Sequence, residues 1–311
     1  MMEYDEFSAM NTTVQVAAEG STERLRPGFE IVRRYVAESE RRFSRFLEAS
    51  ELSQLNRSAG QWFKASPELL GLVQESLTWY DLTFGLFDPS LLGALRQVGY
   101  DRSMTELREG PALASVPAME WMRPRFADTL VDLERQQILL PEGVQLDLGG
   151  IAKGWVAARA TEMLGRFADS CAVSAGGDMA LKGLPEGQRS WQVSLEDPRD
   201  ANRVVAVLEV RPGSLATSSV TKRRWPQGDL PRHHILDPRS GLPAESEWLS
   251  VTVWTESPTG AEAFAKALLI ADPEEAVSLS TRVEGLRFIA VRADGSLWGP
   301  PLSREMLHGP A

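Results

Sequence analysis

Residues 147–182 read DLGGIAKGWVAARATEMLGRFADSCAVSAGGDMALK, and the order of elements in this stretch decides the fold. Ala152, Val156, Ala160, Met163 and Leu164 recur at helical spacing, which predicts a helix over Ile151–Phe167. A short strand is expected just before it, at Gly143–Leu148. Cys171–Ala175 is an apolar run of strand length; a Gly176-Gly177-Asp178 turn follows, then a second strand at Met179–Lys182. A helix followed directly by a hairpin is not the repeating strand–helix–strand unit of a parallel sheet. The expected class is α+β, with a mixed or antiparallel sheet core, packed helices and a smaller lobe.

The flanking sequence agrees. Thr12–Ala18 alternates and reads as a strand, and Pro27–Leu47 reads as a helix through Val32, Tyr35, Val36, Phe43, Phe46 and Leu47. Ser66-Pro67-Glu68 opens a helix that runs to about Leu82. Residues 103–130 are poorly periodic, hold Pro111, Pro117 and Pro124, and read as a surface excursion. Trp191–Leu195 and Val204–Val210 read as antiparallel strands, and Trp248–Thr255 as a strand before a helix over Ala261–Ile270. Asp272-Pro273 caps a short helix, and a hairpin turning at Asp294-Gly295 joins Leu286–Arg292 to Leu297-Trp298.

Composition removes several classes of function. The chain has 311 residues, with 33 Lys+Arg against 43 Asp+Glu and a net charge of −10. That balance argues against a nucleic-acid binder, which needs a basic face. One cysteine excludes a disulfide framework and a Cys-based zinc site, and three histidines (His233, His234, His308) exclude a His-rich one. The start, MMEYDEFSAM, has no basic n-region or apolar core and predicts no export signal. No apolar run reaches the roughly 18 residues of a membrane span. A cytoplasmic enzyme or binding protein is the expectation.

The chain has no GxGxxG, GxxxxGK[ST], HExxH or GxSxG motif. Its chemistry gathers at glycine turns instead. In Asp147–Gly154 a glycine pair ends a strand and a helix begins at once, with Lys153 in its first turn. Free N–H groups and a positive helix end suit a phosphate or diphosphate; the alternative is a tight turn with Lys153 in solvent. His233-His234-Ile235-Leu236-Asp237-Pro238-Arg239-Ser240-Gly241 sets two imidazoles beside a turn that Asp237 and Arg239 can hold by themselves. Ala216-Thr217-Ser218-Ser219 is a run of small residues after a strand, and the basic run Lys222-Arg223-Arg224 follows as either a phosphate holder or a charged loop.

Together these segments resemble the ApbE family of FAD:protein FMN transferases. DLGGIAKG, SAGGD, ATSS and HHILDPRSG stand in the order of that family's DLGGIAKG, NAGGD, ATSG and HIIDPRTG. Ala9–Thr13 resembles its MGTT start, Phe43–Asn56 its S-x-Y-x-x-x-SELSxxN stretch and Gly85–Pro89 its GAFDP. The resemblance implies a single domain over residues 7–300 that binds FAD between an α+β core and a smaller lobe. It implies transfer of the FMN half of FAD onto a Thr or Ser hydroxyl of an acceptor flavoprotein subunit, with release of AMP. The flavin positions carried over are Met10, Phe46, Leu86, Phe87, Asp88, Asp147 and Lys153, and the catalytic base is His234. The family's Mg²⁺ would sit on the Gly150 carbonyl and Glu262; Lys266 stands where the family has its Thr ligand, and an ammonium has no lone pair for a metal. Glu262 also fits a capping box with Thr259 and an i,i+4 pair with Lys266. The alternative function is an FAD-binding protein of this fold that has lost transfer.

Overall fold

Val14, Val16 and Ala18 are buried at 0–1 % exposure while Thr13 and Gln15 face outward, so Thr12–Glu19 is a strand with one face on the core. The computed structural model describes residues 1–109, 122 and 125–307. Eight strands form its main sheet: β1 (Met2–Ala9), β2 (Thr12–Glu19), β3 (Cys171–Ala175), β4 (Asp178–Lys182), β5 (Gly213–Ser219), β6 (Trp248–Thr255), β7 (Arg287–Arg292) and β8 (Leu297–Trp298). Their order in the sheet is their order in the chain, and every neighbouring pair is antiparallel. The class read from sequence therefore holds, with an antiparallel main sheet. β1 carried no clear sequence signal. It pairs with β2 through a two-residue turn whose members, Met10 and Asn11, both have positive φ (52° and 54°), the mirror-image geometry that suits hairpin twist.

The principal helices are α1 (Thr22–Phe43), α2 (Pro67–Leu82), α3 (Ala152–Leu164) and α4 (Pro258–Ile270). α3 packs on β3 and β4, α4 on β5 and β6, and α3 touches both α1 and α4. Val173, Val251, Val253, Phe264 and Leu268 join in the core between these layers. Each such side chain removed from water contributes about 1.5–3 kcal/mol. A hairpin of Trp191–Asp197 and Asp200–Val210 brings Leu195, Leu208 and Val210 against Leu181, Leu215, Ile289 and Val291 in a second cluster. A three-stranded sheet of Trp62–Lys64, Gln137–Leu139 and Leu130–Asp132 forms a smaller, separate sheet.

Three sequence readings change. The helix expected at 27–47 starts at Thr22 and stops at Phe43, because Ser44 turns extended (φ −74°, ψ 122°); this frees Arg45 and Phe46 for the site. Gly143–Leu148 is not a strand beyond one bridge, Gln145 to Leu91; the Asn56 side chain instead bonds both Leu146 N (2.7 Å) and O (2.9 Å), doing what a neighbouring strand would do. α4 begins at Pro258 with Ser257 as its cap, so Thr259 and Glu262 form no capping box. Of the expected excursion at 103–130, Pro111, Pro117 and Pro124 lie outside the described residues, as does His308.

The starts of α3 and α4 meet at Gly154. A Cβ there would lie 2.6 Å from the Pro258 carbonyl oxygen, so only glycine allows this approach. Gly154→Ala should lower stability by about 1–3 kcal/mol through forced separation of the two helices. Thermal unfolding checks this, and an unchanged midpoint contradicts it.

Candidate active site

A cavity of about 1310 Å³ opens beside the Met10-Asn11 turn, the segment after α1, the Leu86–Asp88 loop, the Gly149-Gly150 turn and the segment after β5. Pockets for drug-sized ligands run to about 300–1,000 Å³, so this one has room for a dinucleotide. Met10, Phe46, Leu86, Phe87, Asp88 and Asp147 all line it. So do Gly150, Lys153 and His234, whereas Glu262 lies behind the wall with no exposure.

One end is aromatic. Arg45, with its side chain 4 % exposed, is held by Asp147 Oδ2 at 3.0 Å and donates to the Tyr100 carbonyl at 2.8 Å. Its guanidinium lies 4.2 Å from the Phe46 ring centre and 4.6 Å from that of Tyr100. Tyr100 in turn stacks on Trp225 at 5.2 Å. Asp147 Oδ1 accepts from Gly149 N at 2.8 Å, so this carboxylate braces the glycine turn and Arg45 together. Asp88 Oδ1 accepts from the Ser90 amide (2.9 Å) and hydroxyl (2.5 Å), fixing the loop that carries Leu86 and Phe87. Met10 N–H donates to Glu40 at 2.9 Å. No sequence pattern points to Arg45 or Tyr100; an Arg-Phe pair after a helix is not distinctive.

The other end is charged. The Lys153 ammonium lies between Asp178 and Glu262 Oε1, the latter at 2.7 Å. The Lys266 ammonium reaches the same Glu262 Oε1 and the Glu262 carbonyl, each at 3.3 Å. Glu262 Oε2 accepts from Gly154 N at 2.9 Å. Glu262 thus caps the positive start of α3 from inside the protein. One N–H of that helix end is thus occupied from within, and Lys153 is paired with carboxylates rather than free in solvent. Burial works against every charge here, but attraction to Lys153 and Lys266 brings the Glu262 carboxyl down to about 2. Burial opposes the Lys153 charge as well, yet Asp178 and Glu262 raise it to about 12. Asp178, buried beside Glu262, is pushed upward. Asp178 completes the cluster from the SAGGD turn, where its place after two glycines was the available signal.

His234 borders the cavity, half-buried, while His233 is buried away from it. Burial, aided by the positive charges of Arg223, Lys266 and Lys153, pushes His234 well below the ordinary imidazole range, so it is neutral near pH 7. Its Nδ1 has no hydrogen-bond partner among the described residues.

The residues at the expected metal position do not suit Mg²⁺. Lys266 lies over Gly150 so closely that a Cβ on that glycine would meet Lys266 Cε at 2.9 Å. Glu262 already receives two ammonium groups and a backbone N–H. A dication about 4 Å from an ammonium meets about 8 kcal/mol of repulsion at an effective dielectric near 20. Among the described residues no three His, Cys, Asp or Glu side chains group as a metal site. No helix among them is long and apolar enough to cross a membrane.

The chain is 29% identical over 264 residues to the FAD:protein FMN transferase of Rhodobacter capsulatus, covering 83% of this chain and 49% of that protein. It thus spans about half the length of that relative. It is 28% identical to the Treponema pallidum protein of the same name, covering 79% of this chain and 71% of that one. Among solved structures, the ApbE protein of Thermotoga maritima superposes with a TM-score of 0.84 at 25% identity, over 99% of this chain and 100% of that one. The Vibrio cholerae flavin transferase ApbE shares the fold, with a TM-score of 0.78 at 20% identity over 99% of each chain. Residues 10–290 match the ApbE family, and the chain belongs to it.

Proposed function

We propose that this chain is an FAD:protein FMN transferase whose working unit is one domain over residues 7–300. The reading rests on one observation: a neutral imidazole, His234, borders the same dinucleotide-sized cavity as the Lys153 and Lys266 ammonium groups. The curated relatives named above are FAD:protein FMN transferases, which supports it.

In this reading Met10, Phe46, Leu86 and Phe87 form the apolar walls for the flavin, and Asp88 and Asp147 keep their loops in register. An acceptor Thr or Ser hydroxyl oxygen attacks the phosphorus on the FMN side of the diphosphate. His234 takes the hydroxyl proton, the new P–O bond forms, and the P–O bond to AMP breaks with its electron pair leaving on AMP. Lys153 and Lys266 face the charge that grows on the phosphoryl oxygens. No step runs through Mg²⁺, because Lys266 and the fully engaged Glu262 do not fit it.

AMP release from FAD tests the assignment. It should require an acceptor bearing a flavinylation motif. Release without acceptor would mean hydrolysis, and FAD binding with no release would mean a carrier.

The base also fixes the pH profile. Protonation removes the reactive form, so rate falls as pH drops. Because His234 titrates well below 6.5, transfer should be flat across about pH 7 to 8, with its acid limb below pH 6.5. A limb centred at or above 6.5 contradicts this.

A further inference from the structure

Arg223 lines the cavity, half-buried, with no carboxylate partner among the described residues. Its neighbours in the basic run differ: Lys222 pairs with Glu196 at 2.7 Å, and Arg224 is exposed opposite His233 on a short strand pair. Arg223 lines the same cavity as His234 and Lys153, and its positive charge disfavours a further positive charge on each. Lys266 is part of the same lining. Its stem covers Gly150, its ammonium sits 3.3 Å from two oxygens of Glu262, and it too lines the cavity.

Lys153 and Lys266 are matched by Asp178 and Glu262, which leaves Arg223 as the excess cation of this group. An ammonium donates three hydrogen bonds, and among the described residues Lys266 spends its contacts on one side, toward Glu262. A guanidinium offers a planar fork suited to phosphate oxygens. Two cations therefore border the cavity with donors to spare, where a divalent ion would be repelled.

We propose that Lys266 and Arg223 hold the diphosphate of FAD and make its binding independent of a divalent cation. This rests on the reading of the cavity as an FAD site. Lys266 takes the position of the ion, and Arg223 supplies the second charge from the lining of the same cavity. The binding step needs no metal, and Glu262 serves to seat Lys266 and Lys153 rather than to ligate an ion.

The test is FAD titration of the intact protein, followed by flavin fluorescence, in EDTA and in millimolar Mg²⁺. Wild type should bind equally in both, within about twofold. Lys266→Thr should lose about tenfold or more in EDTA and regain affinity with Mg²⁺, since the hydroxyl restores a metal ligand. Arg223→Gln should lose about tenfold in either buffer. Wild-type binding that tightens more than tenfold with Mg²⁺ overturns the proposal while leaving the FAD reading intact. Unchanged affinity of either folded variant in EDTA also overturns it. Absence of FAD binding in both buffers overturns the proposal and the proposed function together. The wild-type comparison needs no variant, so a misfolded mutant does not decide the matter.

Discussion

Replacing His234 with alanine should slow FMN transfer by about 10²–10⁴-fold while leaving FAD affinity within a few-fold of wild type. An alcohol hydroxyl holds its proton far above neutral pH, so attack needs a base at the acceptor. His234 is neutral near pH 7 for a structural reason: burial together with the charges of Arg223, Lys266 and Lys153 disfavours a further positive charge. His233→Ala should cost far less, because that ring is buried outside the cavity. Rate measurements on both variants at saturating FAD check this. Equal losses would point to a structural role for the pair, and a large drop in FAD affinity for His234→Ala would make the imidazole a binding group.

Glu262→Gln should destabilise the fold by about 3–5 kcal/mol, the scale for breaking a buried ion pair by removing one partner. The carboxylate is fully buried and holds Lys153, Lys266 and Gly154 N, so its loss leaves two ammonium groups facing Asp178 alone. The sign with pH follows. The Glu262 carboxyl falls from 4.5 to about 2 on folding, so its contribution is complete above 4.5 and is lost as pH drops toward 2. The upward displacement of Asp178 acts in the opposite sense and offsets part of this. Denaturant unfolding at neutral pH checks the main effect; a change under about 1 kcal/mol would mean that the cluster is no sturdier than a surface pair.

Periodicity and turn chemistry carried much of the architecture. β3 and β6 were read at their true ends, and α2 opens where Ser66 and Pro67 said it would. β1 carries no sequence signal because Met2–Ala9 is acidic and only partly buried, with no apolar face to announce it. Gly143–Leu148 was misread because its apolar residues are buried by tertiary contacts, with Asn56, 90 residues away, in place of a partner strand. At the site, the motifs pointed to Lys153, His234 and the Glu262–Lys266 pair. They did not say that Glu262 reaches across to cap α3, since i,i+4 spacing is silent about a second helix. Arg45 was invisible for the same reason: its partners, Asp147 and Tyr100, come from distant segments.

The intact mass of an acceptor flavoprotein subunit, measured after incubation with this protein and FAD, decides whether this chain transfers FMN. One FMN should become attached through a phosphoester to a Thr or Ser of the acceptor, with one AMP released for each. An acceptor whose mass stays unchanged, while the protein is demonstrably folded and saturated with FAD, would contradict it.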